Sequence, residues 1–351
     1  MNAPDYSVLD EALEMLSDCG PEFGGGLSNH GPMCAEAMCA MGRRDRVLAW
    51  TENYRKQLNP RIAEREKITN ANWREALGRF KRAGDWSAFF TNELKERPWH
   101  EVVQDWVERL SPGLISAAAH GAIRTGHATR SLAIEDTAQR RRELADALGY
   151  WAAVYNTLPG EKRDRGSAMP SAAIDRVEVI PHGERGSGFA SLDAALKQLD
   201  HFKPFENTLS MVDTDADPSA FVSDLTATFA RVFLANAHDL LTAIAFVHAV
   251  TGPSAVRPML PYLRADAVAP ALGYAWQASV ALYSTFSIAA PLKIEEPSTA
   301  ISDDELIDRA IATGDEHAIK FTEVCLREDR PHRDPAYRPA ALHAIRLLSN
   351  G

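Results

Sequence analysis

Apolar residues recur at helical spacing from one end of this chain to the other, and that periodicity restricts it to an all-α, multi-helix fold before any motif is read. It predicts helices over about residues 8–18, 33–57, 72–83, 87–96, 99–109, 112–130, 135–158, 191–201, 217–250, 254–263, 267–289, 303–313, 315–328 and 337–349. Start signals accompany several of them: Ser7 with Asp10, Asn72 with Glu75, Ser302 with Glu305, and Thr313 with Glu316 have the spacing of N-terminal capping pairs. Only RVEVI (176–180) and residues 209–212 read as strands. Between 158 and 191 the composition turns to Gly, Pro, Ser and charge, the mark of a long irregular central segment. Candidate functional histidines lie on both sides of it. The expectation is therefore one domain over 1–351, with a loop or sub-domain junction at 158–191.

Composition narrows the function classes. Of the residues, 45% are hydrophobic, enough for a large buried core. Acidic side chains outnumber basic ones 48 to 38, a net charge of −10, so no basic face is expected for nucleic acid. Cys19, Cys34, Cys39 and Cys325 form no Cys-x-x-Cys spacing and read as reduced thiols of a cytoplasmic protein. The N-terminus, MNAPDYSVLDEALEML, is acidic and amphipathic and does not read as a signal peptide. Residues 267–292 carry no charge and are long enough to span a bilayer, but Pro270, Gly273, Gln277 and several hydroxyls favour burial within protein. No membrane partner is expected. Homo-oligomerisation is left open.

The informative residues are histidines with apolar or small flanks: His30 in GGGLSNHGPM, His120 in LISAAAHGAIR, His127 in RTGHATR, His248 in IAFVHAVTG and His317 in GDEHAIKFTE. A buried imidazole must either find hydrogen-bond partners or bind something. Taken singly, a satisfied core histidine is the default; several together point to a site. Gly24–Gly26 permit unusual backbone angles and Pro32 suits a first helical turn, which places His30 at a helix N-terminus. The glycines lack the Lys-Ser/Thr of a phosphate loop and do not form a dinucleotide fingerprint, so neither FAD nor NAD(P)H is indicated.

His120 and His127 are seven residues apart, about 10 Å of rise along one helix face, so they do not readily share one ion. The spacing leaves room for one of the two to be a ligand while the other contacts substrate or a ligand's own partner. Arg124, in the same segment, either pairs with an acidic group or binds a substrate oxygen. His317 and Lys320 project from adjoining positions of one helix. A lysine ammonium binds no cation, but burial favours the neutral amine, which reacts with carbon dioxide to give an anionic carbamate. A salt bridge from Lys320 to Glu323 or Glu316 is the plain alternative. Trp276, Tyr274, Tyr283 and Phe286 suit either an aromatic pocket or ordinary core packing. His238-Asp239 is an HD dipeptide, which reads either as part of a metal-dependent phosphohydrolase site or as a helix cap or surface pair.

Together GGGLSNHGPMCAEAM, AAHGAIRTGHATR, FVHAVTGPSAVRPMLPYL and DEHAIKFTEVCLRE resemble, in the same order over most of the chain, the questin oxidase-like family. The resemblance implies oxygenase chemistry on aromatic polyketides such as anthraquinones, by oxidative ring opening or oxygen insertion, with dioxygen and a small aromatic substrate as partners. Some members resemble non-haem iron dioxygenases with four histidines and a carboxylated lysine. Carried onto this sequence, the metal ligands for Fe(II) are His30, His120, His248, His317 and Lys320, with His127 competing for a ligand place and otherwise, with Arg124, catalytic. Other branches act without metal, a histidine instead deprotonating a phenolic substrate that then reacts with oxygen.

Overall fold

The computed structural model describes residues 3–295 except 163, 165 and 190, and residues 301–349 except 332. The chain divides into two units, Met1–Asn156 with Pro258–Arg264, and Thr157–Arg257 with Ala265–Gly351. Both are predominantly helical, as the periodicity predicts.

The first unit contains α1 (Leu9–Met15), β1 (Cys19–Phe23), β2 (Leu27–Ser28), α2 (Gly31–Ala40), α3 (Arg44–Tyr54), β3 (Leu58–Pro60), α4 (Trp73–Ala76), α5 (Ala83–Glu96), α6 (Trp99–Leu110), α7 (His120–Ile134) and α8 (Ala138–Val154). The strands form a small antiparallel sheet in the order β2-β1-β3. Gly24, Gly25 and Gly26 all have positive φ in the turn from β1 to β2, where an L side chain would be strained. Strands of two to five residues are too short to show an alternation, so periodicity does not reveal this sheet.

Several predicted helices are interrupted for local reasons. The stretch 33–57 breaks at Gly42, which lies at φ 70°. The N–H of Gly42 donates to Cys39 O and that of Arg43 to Met38 O, the paired bonds of a Schellman stop. Residues 112–130 do not form one helix, because Ala117, Ala118 and Ala119 occupy left-handed backbone at φ 48°, 55° and 65°, and the helix begins only at His120. Neither Ser7 nor Asn72 caps a helix through its side chain. Asn72 instead accepts from the Thr69 N–H.

Packing in this unit centres on α8, which α5 and α7 cover. Gly121 makes the α7 contact close: a Cβ there would lie 2.5 Å from both Cα and Cβ of Trp151. Trp151 is fully buried and donates its indole N–H to Gly113 O at 3.0 Å. Trp86, Phe90 and Trp106 stack and meet edge to face beneath α5 and α6, a large apolar burial with favourable ring geometry.

The second unit contains α9 (Pro170–Ala173), α10 (Leu192–Leu196), α11 (Pro218–Asn236), α12 (Leu240–Ser254), α13 (Ala265–Phe286), α14 (Asp303–Ala312), α15 (Glu316–Asp329) and α16 (Tyr337–Leu348). The predicted helix 217–250 is two helices. Asp239 caps the second in a capping box with Thr242, which satisfies backbone donors at its first turn. Ser302 caps α14 as expected, whereas α15 is capped by Asp315 and not by Thr313. Residues 254–263 hold only a short 3-10 turn, Leu260–Tyr262. Residues 176–180 form no strand, and of 209–212 only Val212 pairs, through an isolated bridge to Ala168.

Helix α12 lies between α11, α13 and α15, and its residues from Ala245 to Ser254 are buried all round, as a central helix requires. Among the described residues no helix is long and apolar enough to cross a membrane. Trp276 and Tyr283 of α13 pack on Phe229 of α11. Trp276 also donates its indole N–H to Thr208 O at 2.9 Å.

Candidate functional site

In the first unit the residues singled out gather at the starts of two helices. His30 stands at the N-cap position of α2, with Pro32 in the first turn, as the sequence predicts. Its ring does not cap the helix; Asn29 does that work, accepting from the Gly31 N–H at 2.9 Å. The His30 N–H donates to the Tyr54 hydroxyl at 2.9 Å. His120 is the first residue of α7, and its ring lies 4.5 Å from that of His30, centroid to centroid, at an interplanar angle of 57°. Both rings are buried.

The left-handed alanine turn sets the orientation of His120. It carries the chain back so that Nδ1 of His120 lies 2.5 Å from Ala117 O. A carbonyl only accepts, so Nδ1 carries the hydrogen and Nε2 keeps its lone pair. That is the tautomer a metal ligand needs, and a carbonyl partner on the other nitrogen is the usual way of fixing it.

His127 and Arg124 follow on α7. Nδ1 of His127 lies 2.6 Å from Oε2 of Glu36. Arg130 donates through Nε to the other oxygen of that carboxylate at 2.6 Å, and through its terminal nitrogen to Oε2. The Tyr6 hydroxyl donates to Oε1 at 2.8 Å. Burial opposes ionisation of Glu36, but Arg130 and His127 outweigh it and hold this carboxyl far below the ordinary carboxylate range. Arg124 makes paired bonds to Glu143 at 2.6 and 2.7 Å, tying α7 to α8. Of the two roles its sequence context allows, the acidic partner is the one seen.

The second unit holds the other pair. His248, in the middle of α12, places Nδ1 2.7 Å from Ile244 O one turn back, so its lone pair is also on Nε2. Its ring lies 5.3 Å from that of His317 in the first turn of α15, at 78°. The Asp315 side chain accepts from the His317 and Ala318 N–H groups and has Oδ1 3.7 Å from Nδ1 of His317. Burial raises the Asp315 carboxyl, but its bonds from His317 and Ala318 prevail and lower it. Lys320 follows His317 by one turn and is only 1% exposed. Farther along, Glu328 is wholly buried and accepts from Ser254 Oγ at 2.8 Å and from Arg257 and Arg327, locking α12 to α15.

Each unit thus contains a buried pair of imidazoles on neighbouring helices, with one ring of each pair locked by a backbone carbonyl that takes Nδ1–H and leaves the lone pair on Nε2. Of the four aromatic residues named from the sequence, Trp276 and Tyr283 are buried against Phe229, which is the core-packing alternative, while Tyr274 and Phe286 are half-buried. Asp239 of the HD dipeptide serves as a helix cap. Sequence reasoning missed Glu36, although a lone acid inside the apolar run GPMCAEAMCAM was a signal that something must pair with it. None of the four cysteines forms a disulfide.

No match is found among curated proteins. The family model for questin oxidase-like proteins matches residues 27–325, a span that begins just before His30 and ends just after Lys320. It takes in both imidazole pairs, His127 and Arg124. On that match over most of its length, the chain belongs to the questin oxidase-like family.

Proposed function

We propose that this protein is a non-haem iron-dependent oxygenase acting on polycyclic aromatic, anthraquinone-like polyketides, by oxidative ring cleavage or oxygen insertion. His30, His120, His248 and His317 are the imidazole ligands, and Lys320, as its carbamate, is an oxygen donor. The observation that carries this reading is the tautomer of His120 and His248, each presenting Nε2 because a backbone carbonyl takes Nδ1–H. Neutral imidazole with an anionic oxygen is a donor set that suits iron(II). Carbamate formation joins the Lys320 amine nitrogen to the carbon of carbon dioxide and releases one proton. Bound iron supplies a centre at which dioxygen is activated.

The chain's own residues do the rest. Carbonyl anchors on His120 and His248 spare the site a choice of tautomer, and burial of both pairs keeps water from the donors. Arg124, held by Glu143, fixes α7 against α8. His127 has Glu36 behind it, the arrangement that orients an imidazole and stabilises its protonated form. In the proposed reaction it takes the proton of a substrate phenol through Nε2.

That last feature also favours a second reading, in which the reaction needs no metal and the oriented His127 alone generates the phenolate that meets dioxygen. Iron quantification on protein purified without chelator, with alanine variants at His30, His120, His127, His248, His317 and Lys320, separates the two. About one iron per chain, lost on changing either pair, supports the first reading. Full iron content in all six variants defeats it, and metal-free oxygen uptake abolished by His127→Ala establishes the second.

A further inference from the structure

Helices α2 and α7 touch at two rungs. The first is His30 with His120, at their N-termini. The second is Glu36 with His127 and Arg130. Glu36 lies six residues beyond His30 and His127 seven beyond His120, about 9 and 10.5 Å of helical rise. Nearly equal steps mean the helices run side by side in the same direction. Parallel alignment sets like ends of two macrodipoles together, an unfavourable arrangement on its own. The second rung supplies compensation: one carboxylate, 2% exposed, bound by a guanidinium, an imidazole and the Tyr6 hydroxyl.

We propose that Glu36 is a positioning residue for the His30–His120 pair: its ionic rung fixes the sliding register of α2 against α7 and thereby the approach of the two imidazoles. The inference rests on the metal-ligand reading for its role in function, but not for its geometry. Sliding either helix by a fraction of a turn would separate the two rings, and the apolar remainder of α2, mostly Ala, Met and Cys, offers little directional resistance. Charge-assisted bonds to a buried carboxylate do offer it.

The test uses the full chain after chelator treatment, with cobalt(II) as the probe and two variants, Glu36→Gln and Arg130→Lys. Arg130→Lys keeps the charge while losing the fork, so it stays informative if Glu36→Gln does not fold. Cobalt affinity, read from the ligand-field spectrum, is expected to fall roughly ten- to hundredfold in either variant. Ring 1H–15N correlations of metal-free protein give a second readout. The His30 and His120 signals should move, while those of His343, anchored to Ala237 O at 2.8 Å in the other unit, stay in place. Glu36→Asp, which keeps the carboxylate, should recover part of both effects. A folded variant with wild-type cobalt affinity and unmoved His30 and His120 signals overturns the proposal. If His30→Ala binds cobalt as the wild type does, the metal reading of this pair fails, and the ring signals alone decide the role of Glu36.

Discussion

Nδ1 of His248 donates its hydrogen to Ile244 O, one turn back on the same helix, at 2.7 Å. The bond lies entirely within α12 and sets the imidazole without help from any other element. His120 achieves the same end differently, bonding to Ala117 O across a left-handed turn.

Both rings are therefore expected as Nδ1–H tautomers in metal-free protein near neutral pH. Two- and three-bond 1H–15N spectra distinguish the nitrogens directly. An Nε2–H tautomer at either residue would contradict the ligand assignment.

Glu36 gives the first unit a defined acid sensitivity. Its carboxyl is depressed in the folded protein relative to the unfolded chain. Its stabilisation is therefore complete above the ordinary carboxylate range and is lost as pH falls through and below it. The slope approaches about 1.4 kcal/mol per pH unit for one proton. Denaturant midpoints measured across that range should fall less steeply in Glu36→Gln than in the wild type, from a lower starting stability.

Gly121→Ala should destabilise the protein by roughly 1–3 kcal/mol, as overpacking does in tight interiors. The added methyl would meet the backbone and Cβ of Trp151 at 2.5 Å, and neither can swing away as a flexible side-chain end would. Thermal melting should register the loss. Gly25→Ala would also be strained, but by its backbone at φ 84° and not by a neighbour, since nothing lies within 4 Å of its Cβ position.

Asp239→Ala should cost about 1 kcal/mol through loss of the α12 cap and leave metal content unchanged. The same substitution would strip metal from an HD-type phosphohydrolase. Denaturation and metal analysis of the single variant thus settle the role of the dipeptide.

The helical class, the placement of His30 by the triple glycine and Pro32, and the His317–Lys320 spacing were legible because each depends on residues close in sequence. The left-handed run Ala117–Ala119 was not. Alanine is the strongest helix former, so AAAHG reads as helix, and the reversal is visible only once α7 has to sit against Trp151 through Gly121. The Glu36 rung spans 91 residues to His127, a separation that periodicity cannot bridge. The paired role of Arg124 was among the stated alternatives, but its partner, Glu143, had no local mark.

Because His120 and His248 are anchored by main-chain carbonyls, half of the imidazole donors proposed above would be preorganised before any ion arrives. On the proposed iron reading, metal loading would follow folding instead of driving it. A zinc finger collapses when its ion is removed. On the same reading, chelation should leave a folded apoprotein whose melting temperature differs from that of the loaded form only by mass action.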